Sequence, residues 1–232
     1  MEAFVSLWSA DLLALGEEVR RVEDRAAGFH IDVFDGHNVP ELLFGPDLVE
    51  ALRAFTAARI EVHLNVTDPG YWAGRFAAAG ADIITVQSGP CDDVAAVLAQ
   101  IRALGCEPGL GIELHEPASS AATFFGLATR LLLLGTPIGV RGRQLDPAAP
   151  ARVADLVRLR ERSPHHPTIA VDGGVRRHTV PLLAAAGADG VIPGSLVYGA
   201  DDPAAVLGEI AALAPGSGPG ATSAFWSTGA RA

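Results

Sequence analysis

The sequence predicts an α/β protein, a single-domain (β/α)8 barrel of the TIM type, on three observations. Short apolar or β-branched runs alternate with amphipathic helical stretches, each kind occurs eight times, and the hexapeptide AAAGAD appears twice as an echo of one βα module. Eight such units in about 210 residues match a compact barrel. An open doubly wound sheet is the alternative compatible with the same alternation. At 232 residues, 49% of them apolar, the chain is long enough and hydrophobic enough to bury the core that a barrel needs.

Strands are predicted at 3–8, 29–34, 59–66, 82–87, 108–114, 130–135, 168–172 and 190–193. Helical patterns lie at 11–25, 46–55, 70–79, 92–104, 119–127, 151–162, 176–186 and 203–213. The first opens with Ser9 as N-cap and places Leu12, Leu15, Val19 and Val22 at helical spacing, with Glu17, Glu18, Arg20 and Arg21 outside. The two AAAGAD copies, 77–82 and 184–189, each end a helix with glycine at the C′ position and lead into an apolar strand. The barrel domain is therefore 1–213. Residues 214–232 lose all periodicity and turn rich in Gly, Pro and Ser, which predicts a flexible tail, with no place assigned to Trp226.

Charge narrows the function. With 17 basic and 27 acidic residues the net charge is −10, which repels nucleic-acid backbones and anionic lipid surfaces. All 17 basic residues are arginine. A chain without lysine forms no Schiff base in the manner of class I aldolases and has no Walker A loop. Cys91 and Cys106 fit neither a disulfide framework nor a Cys-rich metal site. The N-terminus lacks a basic segment followed by a long apolar one, and the longest apolar run, near 131–134, is far too short to span a bilayer, so the sequence reads as cytoplasmic.

Polar residues inside apolar strands are the informative ones, because burying them costs free energy unless a partner satisfies them. His30 and Asp32 stand two apart in GFHIDVFDG, on one face of a strand. His63 in IEVHLNV and Asp172 in TIAVDGGV lie near their strand ends. A barrel would bring all four to one mouth, and two imidazoles with two carboxylates suit one divalent ion such as Zn²⁺, Fe²⁺, Mn²⁺ or Co²⁺.

The segments SLWSADLLALGEEVRRVE, HIDVFDGHNVPELLFGP, EVHLNVTDP, AGADIITV and VDGGV resemble the ribulose-phosphate 3-epimerase family, and the similarity runs from about Phe4 to Leu213. The resemblance implies a metal-dependent barrel with ligands at His30, Asp32, His63 and Asp172, and with Asp32 and Asp172 also serving as the acid–base pair. Epimerising a ketose at C3 removes a weakly acidic proton beside a carbonyl. A bound cation stabilises the enediolate, and two carboxylates on opposite faces exchange the proton. The substrate implied is a sugar phosphate, with D-ribulose 5-phosphate to D-xylulose 5-phosphate the leading assignment. A homo-oligomer is also implied.

The expected substrate contacts are Ser6, the turns Gly173–Gly174 and Gly194–Ser195, and the loop of Arg141, Gly142 and Arg143. The turns match the family's phosphate grip, whose backbone N–H groups and following helix N-termini bind a dianion without lysine. The loop departs from it: where the family reads roughly NPGFGGQ, residues 137–143 read PIGVRGR, with two added guanidinium groups. Phe34 and Asn65 stand where the family usually has methionine, Gln87 where it has histidine, and Glu113, His115 and Glu116 replace its usual Asn-Pro. This drift in the pocket keeps allulose 6-phosphate, a tetrulose phosphate or another ketose as alternative substrates. A barrel that binds a sugar phosphate without turning it over is the non-enzymatic alternative. Decarboxylase barrels with an Asp-x-Lys-x-x-Asp pattern and triosephosphate-isomerase chemistry both need a lysine and drop out.

Overall fold

The computed structural model describes residues 1–217 and Trp226. Eight parallel strands close a barrel: β1 (Glu2–Ser6), β2 (Gly28–Asp35), β4 (Arg59–Asn65), β5 (Ile83–Gln87), β6 (Glu107–Ile112), β7 (Arg130–Leu134), β8 (Thr168–Asp172) and β9 (Gly190–Ile192). Direct pairing of β1 with both β2 and β9 seals the ring and rules out the open sheet. A two-residue strand that periodicity did not foresee, β3 (Leu42–Leu43), folds back antiparallel on the end of β2. The helices are α1 (Leu15–Arg20), α2 (Pro46–Phe55), α3 (Pro69–Ala78), α4 (Val94–Ala103), α5 (Ala149–Glu161), α6 (Val180–Ala186), α7 (Ser195–Tyr198) and α8 (Pro203–Ala211).

Strand alternation divides the core in two. Outward residues such as Val5, Phe29, Ile31, Val62 and Leu64 pack against the helices, while Phe4, Ile83, Leu132, Ala170 and Ile192 form a small apolar cluster inside the ring. Trp226 is buried and belongs to the outer core. The rest of the expected flexible tail, beyond residue 217, lies outside the described residues.

Three helices differ from expectation. The first starts at Leu15, not Asp11, because the Asp11 carboxylate takes the Leu13 N–H at 3.0 Å and closes a local turn. Ser9 is therefore no N-cap and lies in a 3-10 turn, Leu7–Ser9. Leu12 and Leu13 stay exposed, whereas Val19 and Val22 are buried as the spacing requires. The fifth helical pattern is a 3-10 segment, Ala118–Phe124, whose Ser120 hydroxyl bonds back to the Pro117 carbonyl. The seventh begins at Val180, because the Thr179 hydroxyl takes the Arg176 N–H and holds 176–179 in a turn.

The two AAAGAD copies perform the same task. Gly80 and Gly187 adopt φ of 101° and 98°, the left-handed geometry that ends each helix. The aspartate that follows accepts the first ladder N–H of a neighbouring strand, Asp82 from Ile60 and Asp189 from Ile169, each at 2.8 Å. Each also pairs with an arginine of the preceding helical layer, Arg53 on α2 and Arg160 on α5. The foot of the barrel is fastened twice by one device.

At the mouth, the second aspartate of HIDVFDG is a clamp. Asp35 Oδ1 accepts the N–H groups of His37 and Asn38, and Oδ2 accepts both the N–H and the hydroxyl of Thr67, tying the β2 loop to the β4 loop. Burial alone would raise its pKa, yet these hydrogen bonds, led by that from the Thr67 N–H, hold it at about 2. Folded below its ordinary 3.8, Asp35 contributes stability that is complete above about pH 4 and fades as the pH falls toward 2. Asp35→Asn is expected to cost ~1 kcal/mol in urea unfolding at pH 7, with the gap closing on acidification. A gap that persists at pH 2 would show that the loops are held by other contacts.

Candidate active site

Strand register sets the site. Asp32 pairs with His63 and His30 with Glu61 across β2 and β4, so the four side chains form two adjacent inward-facing rows, and Asp172 enters from the last residue of β8. His63 Nδ1 lies 3.2 Å from Asp32 Oδ1 and 3.9 Å from Asp172 Oδ2, and His30 Nε2 lies 3.4 Å and 4.0 Å from the same two atoms. One donor atom from each of His30, Asp32, His63 and Asp172 falls within 4.8 Å of the others. Four donors about 2.1 Å from a tetrahedral ion stand about 3.4 Å apart, so modest contraction would seat a cation.

Both imidazoles have an outer partner that presents the inner nitrogen. Glu61 Oε2 lies 3.2 Å from His30 Nδ1 and accepts its hydrogen bond, which turns Nε2 toward the cluster. The Gln87 amide lies 2.7 Å from His63 Nε2, and its Oε1 has no other partner. Half a turn of that amide lets Oε1 accept an Nε2–H and frees Nδ1 for a metal. The fully buried Glu61 also accepts from the Thr85 hydroxyl at 2.9 Å and pairs with Arg130 Nε at 3.0 Å. The Arg130 guanidinium in turn sits 4.5 Å from the centre of the Phe4 ring. Gly109 and Gly111 make room for this layer: a Cβ on either would strike the Thr85 or Gln87 side chain within 2.7 Å.

The electrostatics favour a cation. Burial penalises every charge here, yet the His30 imidazole, with hydrogen bonds from both histidines, draws the Asp32 carboxyl below the usual range. Burial and the charge of Asp32 push Asp172 up to about 6. Arg130 and the His30 bond hold Glu61 at about 2 despite its burial. Burial would lower His30, but Asp32 and Glu61 raise it well above an ordinary imidazole. The field that holds a proton on His30 is the field a divalent ion would occupy.

Asp32, His63 and Asp172 open into a cavity of about 360 Å³, the size of a small-metabolite site. Every expected substrate residue lines it: Ser6, Arg141, Gly142, Arg143, Gly173, Gly174, Gly194 and Ser195. Ser6 also donates to Asp32 Oδ2 at 3.4 Å. The Gly173 and Gly174 turn takes φ of 89° and 69°, where a side chain would be strained. Trp8 packs edge-on against Phe34 with ring centroids 5.2 Å apart, and Arg141 lies over Trp8 at 5.3 Å. Arg176 lines the cavity as well, a guanidinium that sequence reading passed over. Glu113, His115 and Glu116 do not line it. Glu116 braces the loop by accepting from Ser88 and from the Glu113 N–H, and His115 is exposed. The layer of Glu61, Thr85 and Arg130 also went unread, although three charged or polar residues at inward positions of apolar strands were the signal.

The architecture is that of the (β/α)8 barrels. 3-Hexulose-6-phosphate synthase from Salmonella typhimurium superposes with a TM-score of 0.66 at 22% identity, over 92% of this chain and 98% of its own. Orotidine 5'-phosphate decarboxylase from Pyrococcus horikoshii OT3 does so with 0.62 at 17%, over 90% and 96%. At these identities the likeness concerns the fold. Sequence is more specific: the model of the ribulose-phosphate 3 epimerase family matches residues 3–198, and the chain belongs to that family. It is 35% identical over 207 residues to ribulose-phosphate 3-epimerase of Bacillus subtilis, covering 88% of this chain and 95% of that protein. It is 32% identical over 202 residues to the enzyme of that name from Mycobacterium tuberculosis, covering 87% and 88%. The protein is thus a ribulose-phosphate 3-epimerase-like isomerase. No helix among the described residues is long and apolar enough to cross a membrane.

Removing the outer partner should loosen the inner one. Glu61→Gln is expected to lower Zn²⁺ or Mn²⁺ affinity by about 10–100-fold in competition with a chromophoric chelator, with circular dichroism checking the fold. Undiminished affinity in a folded variant would show that His30 needs no such support.

Proposed function

We propose that the protein epimerises a ketose phosphate at C3, D-ribulose 5-phosphate to D-xylulose 5-phosphate being the leading pair, with His30, Asp32, His63 and Asp172 holding one divalent cation. The observation that carries the reading is the cluster itself: two carboxylates and two imidazoles, each with an outer partner, at the base of a cavity lined on one side by glycine turns. When bound, the cation supplies Lewis-acid stabilisation of negative charge on the C2 and C3 oxygens.

The protein's own residues do the rest. The ionised carboxylate of the Asp32 and Asp172 pair takes the C3 proton, the electron pair left behind makes the C2–C3 double bond, and the C2 carbonyl π pair moves onto its oxygen, a shift that reverses when C3 is reprotonated. The protonated carboxyl of the pair returns a proton to the opposite face, inverting C3, and the roles exchange in the reverse direction. Ser6 steadies Asp32 through its hydrogen bond. Backbone N–H groups of the 173–174 and 194–195 turns, with Arg141 and Arg143, receive the phosphate. Trp8 and Phe34 wall the reacting carbon from bulk water.

Incubating the metal-loaded protein with a panel of ketoses and ketose phosphates in deuterated water should label one of them at C3, and that sugar is the substrate. Asp172→Asn should reduce the exchange by about 10²–10⁴-fold. Binding of a sugar phosphate without label at C3 in the wild type would instead favour a non-catalytic barrel. Replacing both Arg141 and Arg143 by alanine is expected to raise KM for the phosphorylated sugar about tenfold with little change in kcat. An unchanged KM would leave the phosphate to the backbone turns alone.

A further inference from the structure

Asn65 is the last residue of β4, two beyond His63, so it shares the inward face one step nearer the mouth. It pairs with Phe34, is fully buried and lines the cavity. Its Nδ2 donates to the His63 carbonyl at 3.4 Å, while its Oδ1 has no hydrogen-bond partner. A carbonyl only accepts, so the amide is held with nitrogen toward His63 and oxygen turned away from it. Burying an acceptor with no donor is costly, and this one stands at a cavity built for a ligand. The occupant must bring a donor to it. Phosphate and carboxylate groups offer only acceptors at this point, whereas a sugar hydroxyl has a proton to give.

The strand order says which hydroxyl. β4 and β8 stand four strands apart in either direction around the closed ring, hence on opposite sides of the mouth. Asn65 therefore faces the Gly173–Gly174 turn that follows β8, with the histidine–aspartate cluster between them. A ketose whose phosphate lies against that turn and whose C2 and C3 oxygens lie over the cluster directs its remaining end, the C1 hydroxymethyl group, toward β4. We propose that the Asn65 side-chain carbonyl accepts a hydrogen bond from the C1 hydroxyl and so selects 1-hydroxy-2-ketose phosphates over their 1-deoxy analogues. This rests on the ketose-phosphate reading above and adds a specificity-determining residue to it.

The test compares the wild type with Asn65→Leu, similar in volume and without the acceptor. C3 deuterium exchange is followed on ribulose 5-phosphate and on its 1-deoxy analogue, and bound Zn²⁺ is counted by plasma mass spectrometry. The wild type should favour the hydroxylated ketose about tenfold in kcat/KM, and Asn65→Leu should erase that preference by losing rate on the hydroxylated ketose alone. Equal losses on both compounds, or no loss on either, overturn the assignment. So does a fall in Zn²⁺ content, which would give Oδ1 to the cation. If Asn65→Leu does not fold, Asn65→Asp, which keeps an acceptor, should retain the wild-type preference, and its failure to do so counts against the assignment. A wild type that exchanges C3 of no ketose phosphate would instead remove the underlying reading, an outcome distinct from an active wild type whose selectivity ignores Asn65.

Discussion

The Glu61 carboxylate, shared between Arg130 and His30, is the interaction on which the barrel interior depends. It neutralises a guanidinium that is 3% exposed and has little else to satisfy it beyond Glu2 and the Phe4 ring. It also fixes the ring of His30, and through that ring the row that includes Asp32. Breaking such a buried pair by removing one partner costs about 3–5 kcal/mol, which far exceeds the worth of an exposed ion pair. A fully apolar filling would be easier to stabilise, but it would leave His30 free to turn.

The interior thus divides into three groups of side chains. Phe4, Ile83, Leu132, Ala170 and Ile192 supply ordinary packing inside the ring. Against them lie Glu61, Thr85, Gln87 and Arg130, which pair with one another and with the imidazoles, Arg130 entering from the foot as the first residue of β7. Toward the mouth stand the four donor residues and the open cavity. Each group supports the next: packing excludes water, the dry setting strengthens the polar pairs, and the polar pairs orient the donors.

Much of this was legible in the residues. Period-two placement of His30 and Asp32, the glycine turns after β8 and β9, and eight alternating units led to the barrel and to the four clustered side chains. What escaped was mostly a matter of partners. Glu61 lies only two residues before His63 and shares its face, but nothing in a single strand says that an arginine from β7 will meet it. Gly109 and Gly111 look like weak points in a strand until Thr85 and Gln87 are seen lying across them. Ser9 is no cap because Asp11 closes the turn that follows it, and Glu116 braces a loop, a distinction that depends on which way a strand end bends.

The repeated fastening by Asp82 and Asp189 has an evolutionary meaning. Two remote arginine–aspartate latches hold the base of the cylinder without any help from the loops at its opposite rim. Residues at that rim, such as 137–143 and Asn65 at the end of β4, can consequently change at little risk to the scaffold. New sugar preferences can arise at one pole of the molecule while the other preserves its folding instructions.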